Sequence, residues 1–151
     1  MIQIVEQNLF ENDSEAYYQC CNCFCRMASG VAAGIRKFYP EAVDADNQTI
    51  EGDKNKLGKF SIAHAKNGKY IYNLYGQYYY GSDSRKLNYE AIYTALESAR
   101  DDCVSKNIKS IAMPFQMGSG LAGGNWNIVY TMIQEVFKYF NGDVYICKLK
   151  N

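Results

Sequence analysis

Neither charge is in surplus in this chain: 16 Lys and Arg face 16 Asp and Glu, and the isoelectric point lies near 6.6. Clustered cations drive non-specific binding to a duplex, so this balance removes the simplest nucleic-acid reading and leaves at most a local basic patch. No apolar run approaches the roughly 20 residues of a membrane helix. Met1-Ile2-Gln3-Ile4-Val5-Glu6 has neither the basic flank nor the apolar core of a signal peptide, so the expectation is a cytoplasmic protein with no membrane partner. There are 2 Pro in 151 residues, no internal repeat and no linker, so 1–151 reads as one domain. At this size a fold buries roughly 70% of the surface its unfolded chain exposes, enough for an ordinary core without metal or disulfide staples. Histidine is nearly missing as well. His64 is the only one, and it lies in a candidate strand, where a structural role is the plainer reading.

Six cysteines are present, four of them crowded between Cys20 and Cys25. In a short exported chain they would suggest a disulfide framework, but with no export signal reduced thiols are the better reading. Cys21, Cys23 and Cys25 alternate onto one face of an extended segment, yet structural zinc sites use separated CxxC pairs or His partners. No metal and no cofactor are therefore expected.

The hydrophobic period switches between two and three to four, which predicts interleaved strands and helices of an α/β domain. Strands are expected at 2–5, 16–23, 59–65, 69–75, 110–114 and 143–149. Asn67-Gly68 is a hairpin signal between the third and fourth. A helix is expected to begin within 28–35 and end before Pro40, with Ser29 or a neighbour as cap. A second runs from Tyr89 to Val104, with both ends of that span facing inward, and a third from Trp126 to Phe140. Residues 44–56 are polar and aperiodic and read as a loop, and 76–86 as irregular.

Strand, small-residue turn, helix occurs twice: around Asn22 to Ala32 and around Pro114 to Trp126. Such turns leave backbone N–H groups unpaired at a helix N-terminus, where the dipole favours negative charge, so both are candidate phosphate cradles. The plainer alternative is that each only reverses the chain. No Gly-Lys-Ser/Thr follows, and no GxGxxG with an acid about 20 residues on, which disfavours triphosphate hydrolysis and dinucleotide redox chemistry.

Together, Asn22-Cys23 with Met27 to Ala32, Leu57-Gly58-Lys59, Tyr70 to Gln77, Asn88 to Ala91, and Met113-Pro114 with Gly118 to Trp126 resemble the macrodomain family over nearly the whole chain. They look most like the branch of terminal ADP-ribose protein glycohydrolase and the ADP-ribose 1''-phosphate phosphatases. The resemblance implies a three-layer α/β/α sandwich around a mixed central sheet. It also implies a small-molecule ADP-ribose derivative as ligand, free or carried on a protein or nucleic acid. The Gly118 to Gly124 loop would wrap the diphosphate, and Pro114, Met117, Gly118, Ser119, Gly120, Leu121, Ala122 and Gly123 count among the substrate-binding residues. Ser29, Gly30, Val31 and Ala32 would approach from the other side, and Asn22 would bond a distal ribose hydroxyl. Asn8 and Leu9 stand where many members place an adenine-binding Asp; Asn8 keeps a carbonyl acceptor, or is simply a turn cap. Tyr75, Tyr78, Tyr79 and Tyr80 surround Gln77, and a tyrosine here would stack on adenine or the distal ribose, although most of the 14 Tyr fit packing positions.

Glycohydrolase members rely on a Lys and an Asp whose places are taken here by Gln77 and Ala122. Neither supports a covalent or proton-transfer role, so that mechanism does not carry over. Removal of a terminal phosphate asks mainly for positioning, which leaves Asn22 as the catalytic candidate, orienting substrate or water. The resemblance thus implies a hydrolase acting on ADP-ribose 1''-phosphate or a related derivative; the alternative is a reader of ADP-ribose without turnover.

Overall fold

A computed structural model describes residues 1–27 and 30–150. Six strands form one sheet: β1 (Ile2–Glu6), β2 (Ala16–Asn22), β3 (Phe60–His64), β4 (Tyr70–Gln77), β5 (Ser110–Pro114) and β6 (Asp143–Lys148). Their order is β1-β6-β5-β2-β4-β3. Every neighbouring pair is parallel except β3 with β4. Parallel neighbours need crossovers, and helices supply them: α1 (Val31–Phe38) and α2 (Pro40–Asn47) after β2, α3 (Tyr89–Ser105) after β4, α4 (Trp126–Phe137) after β5.

Alternation along the strands sends side chains to two cores. Tyr17, Cys21, Ile71 and Tyr75 meet Ile35, Tyr39 and Ala42 of the α1–α2 layer. Tyr18, Tyr72, Leu74, Ile111 and Ile146 meet Ile92, Leu96, Ala99, Val129 and Ile133 of the α3–α4 layer. The expected three-layer α/β/α sandwich with a mixed sheet is the observed fold. α3 and α4 start where Asn caps accept backbone bonds, Asn88 from Ala91 at 3.0 Å and Asn125 from Asn127 at 2.9 Å. Among the described residues no helix is long and apolar enough to cross a membrane.

Some expectations need correction. The supposed loop from residue 44 begins as helix, because α2 runs to Asn47. Pro40 opens it, where a missing N–H costs nothing, and it buries only Ala42 and Asp46, too little to show as an apolar stripe. Val104 is not inward but 61% exposed, and α4 stops at Phe137, short of Phe140. β4 continues past Tyr75 to Gln77. The Asn67-Gly68 turn joins β3 to β4 as expected, with Gly68 at φ 91° and its N–H donating to the Ala65 carbonyl at 2.9 Å.

Candidate functional site

β2 pairs with β4 along its whole length, but with β5 only at Ala16–Ile111 and Tyr17–Ala112. Beyond Tyr17 these two central strands share no further ladder pairs. From β2 the chain leaves over one face through α1 and α2; from β5 it leaves over the other through α4. Such a switch point opens a crevice at the carboxyl ends of the strands. Here it widens into a cavity of about 560 Å³, between the turn after β2 and the glycine turn after β5.

The first wall is built by side chains. Asn22 closes its own turn: its Oδ1 accepts from the N–H of Phe24 at 2.9 Å and of Arg26 at 3.4 Å, and its Nδ2 donates to the Arg26 carbonyl at 3.0 Å. Cys25 takes φ 57° to complete the reversal. Beneath it Lys56, buried, donates to the Cys23 carbonyl at 2.9 Å, and its ammonium lies 4.8 Å from the Tyr75 ring centre. Asp46 accepts from the Tyr75 hydroxyl at 2.6 Å; burial pushes its carboxyl up, against the opposing pull of that bond and of Lys56. Phe24 packs edge-on against Tyr78 and Tyr79, and the Arg26 guanidinium sits 5.6 Å from the Tyr80 ring centre.

The second wall is built by backbone. Gln116, Gly118 and Gly123 all have positive φ. A β-carbon on Gly118 would lie 2.9 Å from Leu87 Cδ1, so glycine is required there by conformation and by space. Gly120 is different: a β-carbon there would meet nothing within 4 Å. Among the described residues no protein acceptor takes the N–H of Gly118, Gly120, Leu121 or Ala122, while the N–H groups of Ser119, Gly123 and Gly124 are used within the turn. Free amides gathered in one glycine turn form an anion-binding concavity.

Arg26 is the only charged side chain among the described lining residues; no carboxylate and no imidazole joins it. The Cys20 thiol lines the cavity but is pushed up to about 12 by burial, and burial likewise raises Cys21, so neither is a nucleophile near neutral pH. His64 stacks on Tyr70 at 4.1 Å on β3, outside the cavity.

Of the residues singled out in the sequence, Asn22, Gly30, Val31, Ala32, Gln77, Pro114, Met117, Gly118, Gly120, Leu121 and Ala122 line this one cavity. Ser119 and Gly123 belong to the glycine turn without lining it, and Ser29 lies outside the described residues. Asn8 and Leu9 do not line it: Asn8 caps a short 3-10 turn by accepting from Phe10 at 2.9 Å, and Leu9 is buried. Tyr75 is turned away into the α1–α2 core, its hydroxyl engaged by Asp46 and Ser61. A bulge explains this: Cys21 pairs with Tyr75 but Asn22 with Gln77, so Gly76 is an extra residue and Gln77 reaches the opposite face, beside Cys20. Tyr80, one of the tyrosines around Gln77, lines the cavity, as does Arg26 of the first turn; sequence reasoning missed Gln19. A carboxamide inside a strand that reads as buried on both faces was the available signal for Gln19.

A family model described as "Macro domain" matches residues 19–133. An uncharacterized 17.5 kDa protein of enterobacteria phage T4 is 36% identical over 114 residues, spanning 72% of this chain and 71% of its own. The ADP-ribose glycohydrolase OARD1 of Homo sapiens is 30% identical over 140 residues, spanning 91% of this chain and 84% of its own. Among solved structures, the macrodomain of Mycobacterium tuberculosis DarG has the same fold, with a TM-score of 0.82 at 21% identity over 100% of this chain and 99% of that one.

Proposed function

The chain belongs to the macrodomain family, and we propose that its cavity binds ADP-ribose or an ADP-ribosyl group as a recognition site, with the diphosphate on the glycine turn. The observation that carries this is the cavity wall: free amides of Gly118, Gly120, Leu121 and Ala122, one cation, and no carboxylate. Such a wall attracts a dianion without repelling it anywhere. Gly120 supports the same reading, because nothing in the protein requires a glycine there, whereas a close-lying diphosphate would.

Recognition without turnover fits this geometry best. Asn22, the catalytic candidate, spends both ends of its carboxamide on its own turn, so it offers a ligand one N–H and no free acceptor to orient a water. Gln77 and Ala122 add no proton-transfer group. A second reading, removal of a terminal phosphate from ADP-ribose 1''-phosphate, is favoured by Arg26, which could neutralise charge on that phosphate. Kinship with an ADP-ribose glycohydrolase supports hydrolysis in general terms. Phosphorus NMR of the protein with ADP-ribose 1''-phosphate separates the two. Shifted ligand resonances without inorganic phosphate mean a reader; phosphate accumulating over many turnovers, and lost in Arg26→Gln, means a phosphatase. Unshifted resonances would reject the ligand class.

A further inference from the structure

The floor of the cavity carries a carboxamide whose orientation is not free. Gln19 is 2% exposed, lines the cavity, and stands opposite Asn73, which is 0% exposed. Asn73 Nδ2 donates to the Ala42 carbonyl and to Ser61 Oγ, each at 3.0 Å. A carbonyl can only accept, so Asn73 must turn its nitrogen there and its Oδ1 toward Gln19. Gln19 answers with its own nitrogen, donating to that Oδ1 at 2.8 Å. The far end of the row enforces the same polarity. Tyr75 gives its hydroxyl proton to Asp46, so at 2.7 Å Ser61 donates to Tyr75 and keeps its lone pair for Asn73. Two groups that only accept, the Ala42 carbonyl and Asp46 Oδ1, thereby fix every donor from Tyr75 back to Gln19. Gln19 Oε1 is left with no partner among the described residues.

We propose that Gln19 Oε1 is a fixed hydrogen-bond acceptor for the ligand, taking a hydroxyl or amino hydrogen and making a neutral donor a condition of tight binding. This deepens the ADP-ribose reading and rests on it. An oxygen held by its neighbours loses little freedom when it binds, and a carboxamide does not repel a diphosphate as a carboxylate would. A ligand without the donor leaves the oxygen dry and unpaired, which is how a buried polar group rejects an analogue.

The test is calorimetric titration of the wild type and Gln19→Leu with ADP-ribose and three analogues: hypoxanthine in place of adenine, a 2'-deoxy adenosine ribose, and a deoxygenated distal ribose. Gln19→Leu is expected to weaken ADP-ribose about tenfold, about 1.4 kcal/mol. One analogue should show that same loss with the wild type and no further loss with the variant, and it identifies whether an amino or a hydroxyl hydrogen is taken. Equal affinities for the two proteins, or one uniform loss across all four ligands, would overturn the acceptor. Should Gln19→Leu fail to fold, the side-chain carbonyl carbon of Gln19 in the wild type decides: its NMR resonance should move with ADP-ribose and stay with one of the analogues. No movement with bound ADP-ribose overturns the acceptor alone, whereas a wild type that binds none of the four ligands overturns the ligand class and the acceptor with it.

Discussion

The two walls of the cavity solve one problem, holding a turn open beside a helix, by different physics. After β2 the turn is stitched by side chains: Asn22 ties its own backbone, and Lys56 secures it from below, next to Asp46 and Tyr75. After β5 the turn is held by backbone shape, with positive φ at Gly118 and Gly123 and the Leu87 side chain packed where a β-carbon would go. A stitched turn depends on charges and hydrogen bonds being satisfied in the interior, so it fails electrostatically. A shaped turn depends on what is missing from its residues, so it fails sterically.

Lys56→Met cuts the deepest stitch and should have the largest effect. It leaves the Asp46 carboxyl without its cationic neighbour and the Cys23 carbonyl without its donor. Urea denaturation should show a loss of about 1–3 kcal/mol, the usual cost of leaving a buried acceptor without its donor. A loss confined to a few tenths would mean the first wall is held by packing instead.

On the other wall Gly120→Glu should separate binding from folding. Nothing crowds a side chain at that position, so stability should stay within about 0.5 kcal/mol of the wild type. ADP-ribose affinity should fall at least a hundredfold, about 2.7 kcal/mol, through blockage and repulsion. Intact affinity would move the diphosphate away from this turn. Gly118→Ala, two residues earlier, should do the reverse and destabilise by about 1–2 kcal/mol, because it meets both positive φ and Leu87. In a double-mutant cycle read by urea denaturation, the cost of Gly118→Ala should shrink in a Leu87→Ala background, and an unchanged cost would assign the strain to φ alone.

The smallest effect separates the walls by pH. The Cys20 thiol is raised from 9.0 to about 12 by burial, and Cys147 to about 11. A folded state that keeps its thiols neutral is unaffected below the unfolded pKa. It loses stability as pH rises from about 9, when only the unfolded chain ionises, until the folded thiols titrate in turn. Denaturation at pH 10 should therefore show roughly 1 kcal/mol lost per such thiol relative to pH 8. Cys20→Ala should remove its share, and an unchanged slope in that variant would show that Cys20 is not what titrates.

Much of this arrangement is legible in the sequence. Alternating and continuous apolar runs locate all six strands to within two residues at either end, and both turns are marked by small residues between a strand and a helix. α2 was missed because a helix with two buried positions shows no stripe. Tyr75 lies two residues from Gln77, and alternation alone would put both on one face. The bulge at Gly76 breaks that parity. The glycine there answers a crowded spot, since a β-carbon would lie 2.9 Å from Cys20 Sγ and from Ile92 Cδ1. Of the two readings that the sequence offers for Asn8, the local hydrogen bond from Phe10 matches the turn cap.

Read alone, the chain's residues specify the succession of strands and helices and the two small-residue turns, because these follow from short-range periodicity and from residues whose conformational range is intrinsic. What the cavity is made of follows from folding. That β2 and β5 part after Tyr17, that Lys56 reaches under a turn more than thirty positions away in the chain, and that Ala42 and Asp46 fix the orientation of Gln19 are all contacts between distant segments. Local pattern carries no record of such partners. Hydrogen-bond polarity in a buried row is set at its ends, and those ends meet only when the chain has folded.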